Sequence, residues 1–352
     1  MKKIAIIGAS YLQNPLILKA KAMGLETHVF AWKAGDIGEE TADFFYPISI
    51  TEKEKILEKC KEIGVDGICS IASDLAMLAV NYVAAKMNLT GNSLHATEIS
   101  TNKYLMRKAL RDGGLCCPGF ELVDDNNCID SLALNYPVIV KPTDRSGSRG
   151  VSKLNDASGL VSAITSARDV SFEKKAIIEE FIEGKEYSVE CISYRGKHIL
   201  LAVTEKFTIG SPNFIETGHF EPAALSDIMY DKVRDVVFKA LDVLEIANGA
   251  SHSEIMIRED GSIYIVEIGG RMGGDCIGSS LVELSTGVDF VKAVIDVALG
   301  CEPDLTKKEH KKAAGIRFVF DRKDVERFTS VSDDHRELLV DSNIENITDR
   351  NG

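Results

Sequence analysis

Two glutamates in the segment GASHSEIMIREDGSIYIVEIGGRMGGD have the type and spacing of a metal site. Asp260-Gly261 is a dipeptide favoured in two-residue hairpin turns, and a turn there predicts that Glu254 faces Glu267 across two antiparallel strands. Opposed side chains have Cβ atoms about 4.5–5.5 Å apart, so the two negative charges would repel each other. A bound cation would remove the repulsion, and carboxylate oxygens suit Mg²⁺. The alternative is an ordinary hairpin with a solvated acidic face.

The same turn predicts what lies beside the two glutamates. It pairs Ile257 with Tyr264, and the two-residue alternation of a strand places His252, Gly269 and Arg271 on the face of the carboxylates. A histidine and an arginine would then converge on the metal site. We interpret His252 as a substrate contact or base, with a structural hydrogen-bonding role as the alternative.

A second candidate site begins where an apolar strand ends at Lys141. The sequence that follows, PTDRSGSRGV, supplies Ser146, Gly147, Ser148 and Gly150. Glycines let backbone N–H groups approach phosphate oxygens, and the lysine adds a positive charge. The segment lacks the G-K-[ST] of a Walker A loop. It predicts a phosphate cradle, and the alternative is a surface loop with an incidental lysine.

An acidic segment, AIIEEFIEGKEYS, follows this loop and contains Glu179, Glu180, Glu183 and Glu186. The acids could simply mark a strand that ends in solvent. Alternatively, an exposed strand edge could pair with an adenine ring while one glutamate binds the amino group or the ribose hydroxyls. The residue types alone leave both interpretations open.

The bulk composition excludes several classes of protein. The chain has 352 residues and a formal net charge of −13, which argues against nucleic acid or an anionic membrane as a partner. It contains no run of about 18 apolar residues, and MKKIAIIGAS is interpreted as a buried first strand. The 8 cysteines are scattered without a C-x-x-C pair, so we expect reduced thiols in a cytoplasmic protein.

The order of elements predicts the fold class. Residues 1–95 alternate strands and helices, which indicates an open parallel α/β sheet. The first turn, Gly8-Ala9-Ser10, lacks the G-x-G-x-x-G fingerprint, so a nicotinamide-dependent oxidoreductase is disfavoured. Later segments predict further strands and helices, with an irregular stretch over residues 210–223.

The order of these motifs resembles the ATP-grasp superfamily over residues 1–300. Lys103 on a helix comes first, then Lys141 with its glycine loop, the acidic segment and the hairpin. Within the superfamily, VKP…GSRGV, EEFIEGKEYS, GH-x-x-P and H-S-E…VEIGGRMGGD are similar to the carboxylate–amine ligases of the L-amino-acid ligase group. The resemblance implies an ATP-grasp fold, which is both α/β and α+β, preceded in the sequence by an open parallel α/β domain.

The resemblance also implies a division into domains. We expect a Rossmann-like domain at residues 1–95 and a linker helix with a small lid subdomain at residues 96–185. A C-terminal catalytic subdomain is expected at residues 186–300, and a tail or partial small domain at residues 301–352.

It further implies roles for individual residues. Those implied to bind ATP are Lys103, Lys141, Ser146, Gly147, Ser148, Gly150, Glu179, Glu180, Phe181, Ile182 and Glu186. Those implied in catalysis are Arg271, Lys141 and His252, and those implied to contact substrates are Arg271, Gly273, Gly274 and His219. Glu254 and Glu267 would hold Mg²⁺, with Mn²⁺ as an alternative. Many relatives have asparagine, a further metal ligand, where this chain has Gly269, so the number of metal ions stays open.

The implied activity is an ATP-dependent ligation. A carboxylate, expected to belong to an amino acid, is activated as an acyl phosphate and joined to an amine, with release of ADP and phosphate. The partners would be small molecules, and a homodimer is open by analogy with relatives. One alternative is a carboxyphosphate-forming enzyme, like the purine-pathway carboxylases or carbamoyl-phosphate synthetase. Another is an ATP-binding module without turnover.

Overall fold

The computed structural model describes residues 1–124, 134–210, 215–310 and 312–343. The strands nearest the N terminus are β1 (Lys3–Ile7), β2 (Glu26–Phe30), β3 (Phe44–Tyr46) and β4 (Gly67–Cys69). They form a parallel sheet in the order β3-β2-β1-β4. Most of β1 and β2 is buried, as strands covered by helices on both faces require. The predicted open parallel α/β arrangement is confirmed.

Helices connect and cover these strands. They are α1 (Asn14–Ala22), α2 (Ile37–Thr41), α3 (Lys53–Ile63), α4 (Asp74–Met87), α5 (Leu94–Thr101) and α6 (Lys103–Asp112). Ser73 caps α4 and Asn102 caps α6, each through a side-chain oxygen that accepts from backbone N–H groups. The caps therefore make Asp74 and Lys103 the first residues of their helices.

A second sheet carries the glycine loop. Its strands are β5 (Phe120–Val123), β6 (Val138–Pro142), β7 (Ser152–Leu154) and β8 (Ala176–Glu180), and α7 (Leu160–Val170) packs against it. The strands are antiparallel, in the order β5-β8-β6-β7. Lys141 pairs with Ile177. Glu179, two residues further along β8, is therefore a diagonal neighbour of Lys141 on the same face of the sheet.

The third sheet is antiparallel and has six strands. They are β9 (Lys185–Tyr194), β10 (Lys197–Thr208), β11 (Glu216–Glu221), β12 (Gly249–Ile257), β13 (Ile263–Gly269) and β14 (Ala314–Arg317), in the order β13-β12-β9-β10-β11-β14. The remaining helices are α8 (Asp227–Val243), α9 (Val282–Thr286), α10 (Phe290–Ala298) and α11 (Arg322–Asp334), with a π-helical turn at Ile277–Leu281 and a 3₁₀ turn at Arg336–Leu338.

The two faces of the six-stranded sheet differ in chemistry. On one face, apolar side chains such as Val189 and Ile255 pack against Val237 of α8 and Met106 of α6. The other face carries polar and charged side chains from five strands, and we call it the polar face: Glu186, Ser188, Glu190, Thr204, Lys206, His219, Glu221, His252, Glu254 and Glu267. Successive side chains along a strand point to opposite faces of the sheet, so polar residues at alternate positions of neighbouring strands share one face.

The hairpin between β12 and β13 has the predicted pairing at the glutamates and a different pairing near the turn. Glu254 pairs with Glu267 as predicted, whereas Ile257 pairs with Ile263 and not with Tyr264. The N–H of Arg258 donates to the Ser262 carbonyl at 3.0 Å, so the turn contains three residues. A bulge next to Glu254 absorbs the extra residue. The predicted two-residue turn was therefore wrong, and the bulge restores the pairing that the site needs.

The stretch predicted to be irregular over residues 210–223 contains a strand, β11. Its main-chain pairing with β10 and β14 supplies the order that the local sequence did not indicate. Residues 211–214 of that stretch lie outside the described residues, as do residues 125–133, 311 and 344–352 of the predicted domains. Within the described ranges, no helix combines the length and apolar character needed to cross a membrane.

Glu221, at the end of β11, is a fully buried carboxyl group. It accepts hydrogen bonds from Thr204 Oγ1 at 2.7 Å and Ser285 Oγ at 2.6 Å, and so ties the sheet to α9. Burial raises the pKa of Glu221 to about 7, because the two hydroxyl donors offset only part of the cost of burying its charge. The proton that Glu221 retains in the folded state stabilises the protein in acid. That contribution is fully present below the pKa of the unfolded chain and is lost as the pH rises through 7.

Glu221→Gln is therefore expected to gain stability relative to the wild type as the pH rises. Between pH 5 and pH 8 the difference in unfolding free energy should change in favour of the variant by on the order of 2–3 kcal/mol. Denaturant unfolding at several pH values measures this difference. Glu302→Gln, at an exposed position, serves as the control and should give a flat profile. A flat profile for Glu221→Gln as well would contradict the buried, protonated carboxyl.

Candidate functional site

Lys141 and Glu179 form a buried cluster of charges with Arg107. Lys141 Nζ lies 2.7 Å from Glu179 Oε2, and Arg107 Nε lies 2.9 Å from Glu179 Oε1. Burial opposes the charge on Glu179, but Arg107 and Lys141 outweigh it and hold the pKa of that carboxyl below its usual range. Burial lowers the pKa of Lys141. Arg107 adds to this shift and Glu179 opposes it. Two cations thus share one anion, which leaves an excess of positive charge.

Lys103 links the first turn of α6 to the metal hairpin. Its Nζ donates to Glu267 Oε1 at 2.7 Å and to the Arg145 carbonyl at 2.7 Å. Arg107 lies one helical turn further along α6 and donates to the Val266 carbonyl. Two cations on one face of α6 therefore contact both the hairpin and the second sheet.

The loop that contains Ser146, Gly147, Ser148 and Gly150 is anchored at its base and exposed at its tip. The Asp144 carboxylate accepts from the N–H groups of residues 172 and 173, at 3.2 and 2.8 Å. Residues 146–149 are exposed. Gly147, Ser148 and Gly150 have φ angles of 70°, 53° and 71°, a conformation that suits glycine and turns backbone N–H groups outward.

Three glutamates contact Lys206 at the centre of the polar face. Its Nζ lies 2.7 Å from Glu186, 2.8 Å from Glu216 and 2.9 Å from Glu254. Its side chain is only 3% exposed, and although burial opposes the charge, the three carboxylates raise the pKa of Lys206 well above its usual value. Burial raises the pKa of Glu186, whereas Lys206 and His252 hold the pKa of Glu254 well below its usual range against the cost of burial. The lysine therefore occupies the middle of this acidic group.

His252 lies between two carboxylates. Its Nδ1 is hydrogen-bonded to Glu190, and its Nε2 lies 3.5 Å from Glu254. Burial opposes a charged ring, yet Glu190 and Glu254 outweigh it and raise the pKa of His252 to about 9. Glu190 also accepts from the Gly273 N–H at 3.0 Å, and a Cβ at Gly273 would lie 2.6 Å from the Glu190 carboxylate. Gly273 is thus a glycine because the chain passes directly over this pair.

Arg271 makes a two-bond ion pair with Asp74 of α4. Nε donates to Asp74 Oδ1 at 2.9 Å and Nη2 donates to Oδ2 at 3.0 Å. Asp74 raises the pKa of Arg271 against the cost of burial. Gly269 lies against this pair, since an added Cβ would be 2.6 Å from Asp74 Oδ1. The partner of Arg271 in this pair is a carboxylate that the sequence did not point to.

The remaining predicted residues lie around this centre. Glu180 is exposed at the end of β8, with its N–H bonded to the Gly119 carbonyl at 2.8 Å, and Phe181 and Ile182 begin the segment between β8 and β9. His219 pairs with Lys206 across β10 and β11, and its Nε2 lies 3.3 Å from Glu216. Gly274 approaches Ala72 of the N-terminal region.

Five charged residues of the site were missed by the sequence analysis: Asp74, Arg107, Glu190, Lys206 and Glu216. Two of them have local signals. Arg107 is four residues after Lys103 in one helix, and Lys206 interrupts the apolar strand HILLAVTEKF with a charge that a buried strand would otherwise avoid. Asp74 and Glu190 have no such signal, because their partners are 197 and 62 residues away in the sequence.

Comparison with known proteins finds an ATP-grasp domain within the chain. The family model described as an ATP-grasp domain matches residues 134–279. D-alanine–D-alanine ligase B of Chromobacterium violaceum is 29% identical over 223 residues, which are 61% of this chain and 73% of that protein. Alanine–anticapsin ligase of Bacillus subtilis is 26% identical over 337 residues, which are 85% of this chain and 71% of that protein.

Solved structures agree with these relatives. The crystal structure of L-amino acid ligase from Bacillus licheniformis superposes with a TM-score of 0.78 at 26% identity, over 90% of this chain and 79% of that one. Phosphoribosylglycinamide synthetase from Anaerococcus prevotii superposes with a TM-score of 0.74 at 24% identity, over 91% and 81% of the two chains, and that likeness concerns the fold alone.

The extent of the matches varies among relatives. The chain spans about half the length, 55%, of the protein y4rH of Sinorhizobium fredii, to which it is 26% identical over 74% of its own residues. The matches to two ligases and to an L-amino acid ligase structure agree with the motif order in residues 103–271. Residues 134–279 match an ATP-grasp domain, and the chain is similar to carboxylate–amine ligases.

Proposed function

We propose that this protein is an ATP-dependent carboxylate–amine ligase. It would activate a carboxylate as an acyl phosphate and join it to an amine, with release of ADP and phosphate. The observation that carries the proposal is one connected group of charges in which Lys103, Lys141 and Arg271 lie with Glu254 and Glu267. Phosphoryl transfer depends on such positioned charges more than on acid–base groups. The names of the ligase relatives favour an amino acid as the acid substrate.

ATP is assigned to the space between the second sheet and the polar face. Lys103, Lys141 and the loop at residues 146–150 would contact the phosphates, and the excess positive charge around Glu179 supports this assignment. The segment from Glu179 to Ile182 would meet the adenine ring, and Glu186 the ribose. In this assignment residues 1–95 would be the N-terminal domain and residues 96–185 the linker helix with the small lid subdomain. Residues 186–300 would be the catalytic subdomain and residues 301–352 a tail or partial small domain.

Glu254 and Glu267 have the donor chemistry for Mg²⁺, with Mn²⁺ as an alternative. Carboxylate oxygens are hard ligands, and the two residues are directly paired across the hairpin. Each carboxylate also contacts a lysine, Lys206 for Glu254 and Lys103 for Glu267. Lys206 also contacts Glu186 and Glu216, so Glu254 lies in an acidic group that suits a divalent cation. We expect the metal and the nucleotide to bind together, because phosphate oxygens would supply the remaining ligands.

The chain's own residues would act mainly by electrostatic stabilisation and positioning. Lys141 and Lys103 would offset negative charge on the phosphates, and the bound metal would add a further positive charge there. Arg271 would contact oxygens of the substrate carboxylate and of the phosphate that is transferred to it. The loop at residues 146–150 would exclude water from the acyl phosphate. The raised pKa of His252 keeps the ring charged at neutral pH. In the reaction it would therefore act as a hydrogen-bond donor and not as a base.

Release of phosphate from MgATP tests the proposed reaction. The assay would run across a matrix of amino-acid pairs, with bicarbonate alone and no added substrate beside it. Release that requires an amino acid, with ADP and an amide as the other products, is the expected result. Release with bicarbonate alone would identify a carboxyphosphate-forming enzyme. Measurable ATP binding with no release in any arm would leave a module without turnover for these substrates.

Glu267→Ala is expected to abolish turnover without unfolding the chain, because Glu267 lies at the site and not in an apolar core. A loss of roughly 100-fold or more is expected, since even the outer partners of a metal ligand contribute 10–100-fold. Turnover and the melting temperature would be measured together. Glu259→Ala, on the exposed turn of the same hairpin, is the matched control and should retain activity. Undiminished activity of Glu267→Ala would refute the site assignment.

Lys141→Ala is expected to weaken ATP binding by about 10–100-fold, the usual contribution of a charged hydrogen bond to a phosphate. Calorimetric titration of MgATP measures the affinity directly. Lys232→Ala changes an exposed lysine on α8 and should leave the affinity as it is. If Lys141→Ala binds ATP like the wild type, the phosphate cradle must lie elsewhere.

A further inference from the structure

Asp74 enters the candidate site from a part of the chain that supplied none of the predicted site residues. It is the first residue of α4, after the cap Ser73, and its side chain is only 15% exposed. Burial opposes its charge, but Arg271 outweighs burial, and Lys103 and His252 add to the effect, so the pKa of Asp74 stays below its usual value. The carboxylate is therefore surrounded by cations of the candidate site, from three different elements.

We propose that Asp74 is a positioning residue for Arg271. It would hold one edge of the guanidinium group so that the remaining N–H groups of Nη1 and Nη2 face the anion that the site binds. This inference rests on the proposed function for the identity of the anion, which is the terminal phosphate of ATP before transfer and the phosphoryl group of the acyl phosphate afterwards. Asp74 itself would not touch ATP.

The hydrogen-bond geometry supports this division of the guanidinium group. A guanidinium has five N–H groups. Nε and Nη2 each donate one to Asp74, and Nη1 donates one to the Met272 carbonyl at 3.3 Å. In the part of the chain that the structure describes, these bonds account for three of the five. The two that remain belong to Nη1 and Nη2 and form the end of the group, which is the edge that binds phosphate or carboxylate with two parallel bonds.

Gly269 makes room for this arrangement. A Cβ added at Gly269 would lie 2.6 Å from Asp74 Oδ1 and 3.0 Å from Arg271 Nε. Any side chain at that position would push the carboxylate away from the arginine. A side chain can therefore enter this small volume from position 74 or from position 269, but not from both. In this chain the side chain of Asp74 on α4 fills it, and β13 contributes none.

A second contact fixes the same two segments. The N–H of Ala72, two residues before Asp74, donates to the carbonyl of Met272, the residue after Arg271, at 3.2 Å. The turn that begins α4 is thus joined to the end of β13 through both backbone and side chain. A free arginine side chain loses rotamer entropy when it is ordered, and here part of that loss precedes ligand binding. The N-terminal domain would in this way organise an active-site cation of the catalytic subdomain.

The ratio of ATP to ADP affinity tests the proposal without any need for turnover. MgATP and MgADP would be titrated calorimetrically into the wild type and into Asp74→Asn. The variant keeps the size of the side chain but loses the charge and one acceptor. The expected result is about a 10-fold loss of ATP affinity with ADP affinity within twofold, since only ATP carries the terminal phosphate. Arg271→Lys should show the same pattern, and adding Asp74→Asn to it should cause little further loss.

A relocation experiment separates positioning from a merely structural role. Gly269→Ala should expel Asp74 and lower the ATP preference, as Asp74→Ala should. The double variant Asp74→Ala/Gly269→Asp returns a carboxylate to the same volume from β13 and should recover part of the preference. Lys19→Gln breaks the ion pair between α1 and α10, 2.6 Å long in the wild type, and is the control that lowers stability without changing the ratio.

Two results would overturn the inference. One is an unchanged ratio in Asp74→Asn with the fold intact by melting temperature. The other is a wild type that binds ATP and ADP equally, which would remove the terminal phosphate as the ligand of Arg271. Failure to form an amide with any substrate pair would count against the ligase proposal alone, because the affinity ratio is measured in the absence of both substrates.

Discussion

Mutual compensation of buried charges is the constraint on which the rest of this site depends. Lys206 is nearly inaccessible to water, and a lone ammonium group in that position would cost several kcal/mol. Three glutamates converge on it at 2.7, 2.8 and 2.9 Å and compensate its charge. Glu179 shows the reverse arrangement, one anion between Lys141 and Arg107. Removing Lys206 or Glu179 would leave the partners of each without the central charge that they share.

These charge groups determine how the three sheets meet. Lys103 and Arg107 on α6 join the second sheet to the hairpin, and Asp74 joins the N-terminal region to Arg271. Each contact spans a large separation in sequence and lies at the edge of the polar face. The proposed site is therefore formed where the sheets converge, and its charges are also the contacts that set the relative positions of the sheets. A ligand with phosphate groups would bind at that convergence by adding anions to a region already rich in lysine and arginine.

The polar face also explains why histidine has a modest role here. His252 lies against Glu190 and close to Glu254, and these carboxylates keep it charged at neutral pH. A ring held in this way donates hydrogen bonds well and accepts a proton poorly. The chemistry that remains available is the placement of positive charge around phosphate and carboxylate oxygens, which is the chemistry of the proposed acyl-phosphate reaction.

The sequence by itself determined the elements whose signals are local. Alternating strands and helices indicated the parallel sheet of residues 1–95, the apolar strand before Lys141 and its glycines indicated the exposed loop, and the motif order indicated the ATP-grasp fold. The pairing of Glu254 with Glu267 was also predicted correctly, although the turn was not, because a bulge compensated for the longer turn. Only the tertiary structure decided which charges neutralise one another. Asp74 is 197 residues from Arg271 in the sequence, and Glu190 is 62 residues from His252. Such pairs follow from the packing of separate sheets and from β-strand register, and neither is encoded in the spacing of residues along one segment.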